Sequence, residues 1–249
     1  MSGHSKWSTI KGKKGAVDAK RGQLFGRLAK EITVSARLGG GDPGGNPRLR
    51  AAIVAARAEN MPNDNITRAI KRGTGESGGA TLEELTLEGY GPAGVALMVE
   101  SLTDNKNRTV SDVRHLITKY GGNLGEPGCV SWMFDKKGVI VFDREGLDED
   151  HLLEAALDCG AEDLKSDETQ FEVLTDPANF IEVKEALEGK GLKPLLAEVQ
   201  LRPKTTVRID EEKSAQQLLK LVEMLEEHDD VNDVFANFDI PDQLIEALM

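Results

Sequence analysis

The hydrophobic period of this 249-residue chain changes near residue 80, and that change limits what each part can fold into. Before it, apolar residues recur at helical spacing: Leu24, Phe25, Leu28, Ile32 and Ala36, then Leu49, Ala52, Ile53 and Ala56, then Ile66, Ala69 and Ile70. This predicts helices over about residues 17–38, 47–59 and 64–72. Gly39-Gly40-Gly41 ends the first. Asn46-Pro47 starts the second, with Asn as N-cap and Pro in the first turn. Asn60-Met61-Pro62 stops it, Asn63 or Asp64 caps the third, and Gly73 ends that one. Three amphipathic helices with short loops make a small bundle. Residues 1–15, rich in Gly and Lys without a period, read as a basic arm, and residues 73–79 as a linker.

After residue 80 the pattern is of short strands and helices. Residues 86–91 and 95–102 read as strands joined by the turn Gly91-Pro92-Ala93-Gly94, followed by a helix at 109–120 and a strand at 129–134. Between residues 138 and 201 the order is strand, helix, strand, strand, helix, strand, which is the ferredoxin-like order. The tail adds a strand at 206–209, a helix at 211–227 and a strand at 231–235. Residues 80–135 have too few elements to close a core alone, and the tail supplies the rest. The expected fold is α+β: a basic helical domain at 1–76, a split α+β domain at 80–135 plus 204–249, and a ferredoxin-like α+β domain inserted at 136–203.

The net charge of −12 argues against a polyanion partner until its distribution is considered. Residues 1–76 hold 15 Lys or Arg against 6 Asp or Glu, a net +9, and the remainder is −21. Ionic screening acts over about 8 Å at physiological salt, so a basic domain acts locally as a cation. Lys6, Lys11, Lys13, Lys14, Lys20, Arg21, Arg27, Lys30 and Arg37 crowd the arm and first helix, with only Asp18 and Glu31 among them. Lys20, Arg27, Lys30 and Arg37 project away from the apolar stripe. Such a set either neutralises phosphates or is a solvated helix face. Trp7, between Lys6 and Lys11, either stacks on a base or folds back over the bundle.

The polar run 103–109 (Thr-Asp-Asn-Lys-Asn-Arg-Thr) lies between a strand and a helix. Lys106 and Arg108 there are candidate phosphate contacts at a helix start, with Asp104 and Asn105 holding the loop. Capping by Asn107 or Thr109 is the competing reading. The acidic runs 145–150 and 226–233 lack calcium-loop spacing and read as solvated surface. Gly121-Gly122-Asn123-Leu124-Gly125 and Gly89-Tyr90-Gly91-Pro92 lack the surroundings of phosphate or dinucleotide loops and read as turns. His4, His115, His151 and His228 have no ligand spacing, and Cys129 and Cys159 form no framework. No catalytic constellation, metal site or cofactor site is expected. Neither a secretory leader nor a membrane span is seen, which points to the cytoplasm.

Several motifs together carry a family resemblance. Met-Ser-Gly-His-Ser-Lys-Trp at 1–7, Arg48-Leu49-Arg50-Ala51-Ala52-Ile53, Asn60-Met61-Pro62, the run 87–92 and the motif at 103–109 occur in this order. In these the sequence resembles the YebC/PmpR family, whose mitochondrial relatives are translational activators. The resemblance covers essentially the whole chain. It implies an N-terminal helical domain and two α+β domains, one inserted in the other, and no catalysis. It implies either DNA-binding regulation of transcription or a ribosome- or RNA-associated factor that relieves stalled translation. It also implies nucleic-acid contact at Lys6, Lys11, Lys13, Lys14, Lys20 and Arg21. Gly12 and Gly15 stand where relatives often have other, frequently basic, residues.

Overall fold

The computed structural model describes residues 18–76, 82–167 and 169–248. Helices α1 (Asp18–Gly39), α2 (Pro47–Ala58) and α3 (Asn63–Gly73) form the bundle that the period predicts. Ile32, Leu49, Ile53, Ala56 and Ile66 interlock in its core, with Phe25, Leu28 and Ala29 packed at the margin. Both α2 and α3 lie on α1.

The α1–α2 joint depends on one buried side chain. The Asn46 carbonyl accepts from the Leu49 N–H at 3.1 Å, and its amide donates to the carbonyls of Ser35 (2.7 Å) and Gly40 (2.9 Å). It therefore satisfies backbone groups orphaned at the end of one helix and the start of the next. In α3 the expectation of an Asn63 or Asp64 cap fails. Both are already helical, and Pro62 occupies the N-cap position without a side-chain bond. Gly73 closes α3 against α1. A Cβ there would lie 2.3 Å from the Thr33 carbonyl oxygen, so only glycine permits the approach.

The following sheet has four strands. Strands β1 (Glu83–Tyr90) and β2 (Ala96–Thr103) form an antiparallel hairpin, paired from Glu83↔Thr103 to Tyr90↔Ala96. Its turn needs positive φ at Ala93 (58°) and Gly94 (75°). The short β3 (Asn123–Leu124) flanks β1, and the tail strand β9 (Val231–Ala236) flanks β2. Helix α4 (Lys106–Lys119) begins three residues before the expected 109. The Asn105 side chain accepts from the Arg108 N–H, so Asn105 and not Asn107 or Thr109 is the cap.

The second sheet, order β5-β6-β4-β7, is built by β4 (Phe134–Asp143), α5 (Glu149–Asp158), β5 (Asp163–Ser166), β6 (Gln170–Thr175), α6 (Phe180–Gly189) and β7 (Leu196–Pro203). Every pairing in it is antiparallel, and element order and strand order together are ferredoxin-like. Alternation along β4 sends Ile140 and Phe142 into the core with Leu152, Phe171, Val183 and Leu187, while Val139 and Val141 join Leu174 on the other face. The strand expected at 129–134 is instead a 3₁₀ turn, Ser131–Met133, after a left-handed Gly128 (φ 90°), and pairing starts at Phe134. The tail holds β8 (Val207–Arg208), α7 (Glu212–Glu226), β10 (Phe238–Asp239), which pairs parallel with β8, and α8 (Asp242–Leu248).

The chain divides into two compact units, one from Gly15–Cys129 with Gln216–Val234, the other centred on Val130–Ala215 with Phe235–Met249. The fold is α+β, with a helical N-terminal region followed by sheet-containing domains.

Two glycines of the bundle should respond oppositely to one methyl group. Gly73→Ala should lower stability by about 2 kcal/mol through the clash at Thr33. Gly26→Ala, where an added Cβ meets nothing within 4 Å, should raise it by up to about 1 kcal/mol. Denaturant unfolding checks both.

Candidate functional site

Lys6, Trp7, Lys11, Lys13 and Lys14 lie outside the described residues, as does His4. Lys20 and Arg21 fall in the first turn of α1, their side chains outside the described set. The remaining candidates, Arg27, Lys30, Lys106 and Arg108, are in view, and three of the four are engaged within the protein.

Lys30 places its ammonium among three acceptors. It donates to an Asp230 carboxylate oxygen at 2.7 Å, the Asp229 carbonyl at 2.9 Å and the Leu102 carbonyl at 3.3 Å. These use all three ammonium donors. The second Asp230 oxygen receives Arg108 (2.7 Å), the Thr109 hydroxyl (2.9 Å) and the Thr103 hydroxyl (3.2 Å). Arg108 also pairs with Asp104 at 2.9 Å. Asp230 thus ties α1 to β2 and to the start of α4, with its side chain only 6% exposed. Burial alone favours the neutral acid. The hydrogen bonds from Lys30, Arg108 and Thr109 outweigh it and hold the carboxyl well below the usual carboxylate range.

The surrounding turn is ordered by the same groups. The Asp230 N–H donates to His228 Nδ1 at 3.1 Å, and His228 Nε2 lies 3.4 Å from Asp112. That geometry fits a neutral ring with its proton on Nε2. A second tie is Arg48 of α2, which bonds Glu31 of α1 at 2.7 Å and pairs with Glu84 of β1.

Arg27 is half-buried. Burial lowers its pKa against the attraction of Glu226, Asp233, Asp229 and Glu227. Its Nε has no hydrogen-bond partner among the described residues. Lys106 is exposed at the first position of α4. Lys30, Arg108 and Asp230 line an open cleft of about 1300 Å³, which also exposes Asp112, Glu227 and Asp229. These three carboxylates oppose a polyanion, and Arg72 on the same wall offsets part of their charge. Among the described residues no group of three or more His, Cys, Asp or Glu is placed to hold a metal, and no helix is long and apolar enough to cross a membrane.

Sequence reasoning missed Asp230, which it placed within a solvated acidic run. Only its position just before β9 distinguishes it from Asp229. Thr103 and Thr109 were visible as a polar motif, but their common partner lies over 120 residues away.

This architecture is that of a multidomain α+β protein with a basic helical domain ion-paired to its first sheet region. Residues 5–76 match the family described as the TACO1/YebC protein N-terminal domain, and residues 82–238 match the TACO1/YebC second and third domain. The chain belongs to the TACO1/YebC family. It is 61% identical over 249 residues to a probable transcriptional regulatory protein of Syntrophus aciditrophicus, covering 100% of this chain and 99% of that one. A protein of the same description from Geobacter sulfurreducens is 59% identical, covering 100% of both. The crystal structure of a conserved hypothetical protein from Aquifex aeolicus superposes with a TM-score of 0.81 at 50% identity, covering 91% of this chain and 93% of that one.

Asp230→Ala leaves Lys30 and Arg108 without their shared carboxylate. It should cost roughly 3 kcal/mol, the low end for a broken buried pair, because both cations keep some solvation. Because the folded-state pKa is depressed, this stability is present at neutral pH and lost as pH falls. The gap between the native chain and Asp230→Asn in thermal unfolding should therefore narrow below about pH 4.

Proposed function

We propose that the chain is a nucleic-acid-binding regulator of gene expression, acting in the cytoplasm as a DNA-binding regulator of transcription through the basic domain at 1–76. The observation that carries this is the segregation of charge, +9 in that domain against −21 elsewhere. A basic surface neutralises phosphates and releases their counterions, which supplies most non-specific affinity. The names of the Syntrophus aciditrophicus and Geobacter sulfurreducens relatives, probable transcriptional regulatory proteins, support the same reading.

In this proposal Lys6, Lys11, Lys13, Lys14, Lys20 and Arg21 contact phosphates, Trp7 stacks on a base or covers the bundle, and Lys106 adds a peripheral charge. Arg27, Lys30 and Arg108 serve chiefly to hold the helical domain, because carboxylates surround them. The acidic remainder, with 80–135 and 204–249 as one domain and 136–203 inserted in it, keeps nucleic acid off the body and directs it to the basic end.

One observation favours a second reading, an RNA- or ribosome-associated translation factor. The exposed residues along α2 from Arg50 onward are Arg50, Ala51, Val54, Ala55, Arg57 and Ala58, so apart from the two arginines, which can reach guanine, the helix has no side chain to read base edges.

Replacing Lys11, Lys13, Lys14 and Arg21 together by Glu should abolish binding to nucleic acid in an electrophoretic shift assay. Unchanged affinity would reject the basic domain as the binding element. Transcription control requires preference for a promoter over scrambled DNA by at least about 10³-fold. Equal binding, together with cosedimentation with ribosomes at physiological salt, would select the translation reading.

A further inference from the structure

The cations of the helical domain are of two kinds. One kind has acidic company: Lys30 with Asp230, Arg48 with Glu31 and Glu84, Arg27 amid four carboxylates. The other kind, Arg37, Arg50, Arg57, Arg68, Lys71 and, on the cleft wall, Arg72, has no carboxylate partner among the described residues. Arg57 makes no side-chain bond there, and Arg50 gives only one nitrogen, to the carbonyls of Pro43 and Gly44.

Arg50 and Arg57 both belong to α2, which contains no acidic residue. They stand seven residues apart, two turns or about 10.5 Å along the axis, on one exposed flank beside the buried stripe of Leu49, Ala52, Ile53 and Ala56. Val54 lies between them and is 58% exposed, although the same helix buries an isoleucine beside it. Ala51, Ala55 and Ala58 continue the exposed surface of the helix further round with small side chains. The nearest acids in sequence, Asp42 and Glu59, sit in the flanking loops, and Asp42 is turned to the Gly44 N–H.

We propose that this outer face of α2 is an interaction surface for the sugar-phosphate backbone of double-helical nucleic acid, with Arg50 and Arg57 each on a phosphate and Val54 against the sugars between them. The inference deepens the nucleic-acid-binding reading and rests on it. Charge complementarity selects a polyanion. For this face a duplex is selected over a single strand, because single-strand binders use aromatic stacking platforms and α2 carries no aromatic residue. The only aromatic residue among residues 18–76 is Phe25, and it is packed against the bundle core. Contacts to phosphate and sugar position a protein without reading sequence.

The test is fluorescence anisotropy of the full chain with a 20-base-pair DNA duplex, an RNA duplex of the same length and a single-stranded oligonucleotide, at several salt concentrations. The native chain is compared with Arg50→Gln/Arg57→Gln and with Arg50→Lys/Arg57→Lys. Loss of two phosphate contacts should reduce the slope of log affinity against log salt by about 2 in the Gln variant. Between 50 and 200 mM salt the native chain should then lose roughly tenfold more affinity than the Gln variant. The Lys variant should retain the native slope, and unfolding midpoints should be unchanged, since both side chains are exposed. Native slope and affinity in the Gln variant would overturn the surface while leaving the basic domain's binding intact. Failure of the native chain to bind any of the three probes would overturn the broader reading as well. A tenfold preference for the single strand would overturn the assignment to a duplex.

Discussion

One carboxylate organises the first unit of this protein. Asp230 receives Lys30 from α1, Arg108 and Thr109 from α4, and Thr103 from β2. Each of these elements forms from its own local pattern, but none of those patterns orients it against the others. Burying an unpaired carboxylate is costly, so the arrangement in which every partner is present is strongly selected over its neighbours. The helical domain is thereby held to the sheet region by a few polar bonds, reinforced by Arg48 across to Glu84.

That node also changes what the basic residues mean. A projection of α1 puts Arg27 and Lys30 on a polar side and treats that side as solvent. In the structure it is the side that meets the turn at 228–230, where carboxylates are concentrated. Total charge of the domain therefore overstates what it offers a polyanion. Among the described residues, the helical-domain charges without a carboxylate partner are Arg50 and Arg57 of α2 together with Arg37, Arg68, Lys71 and Arg72.

Much of the fold was legible because it depends on local periodicity. The three helices, the Asn46 cap, α5 and the β-α-β-β-α-β order follow from spacing and turn residues alone. The misjudged elements are those settled by a tertiary partner or by a competing local bond. The α4 start moved because Asn105, three residues ahead of Arg108, was the better placed acceptor. Residues 129–134 read as strand from their apolar content, but the left-handed Gly128 sets a 3₁₀ turn before pairing begins. The site was less legible than the fold. Asp230 has no motif of its own, and Asp229 beside it is equally acidic. Its role comes from a contact across 200 residues with Lys30, which no local pattern encodes.

Lys30 and Arg48 hold the helical domain to the sheet region, and in the proposed function Arg50 and Arg57 meet the partner. Covalent footprinting of lysine and arginine side chains, read by mass spectrometry with and without a bound duplex, tests this division directly. Lys30 should be nearly unreactive in both states, and Arg50 and Arg57 should react in the free protein and be shielded in the complex. A Lys30 that reacts freely alone and is shielded on binding, with Arg50 and Arg57 unchanged, would contradict it.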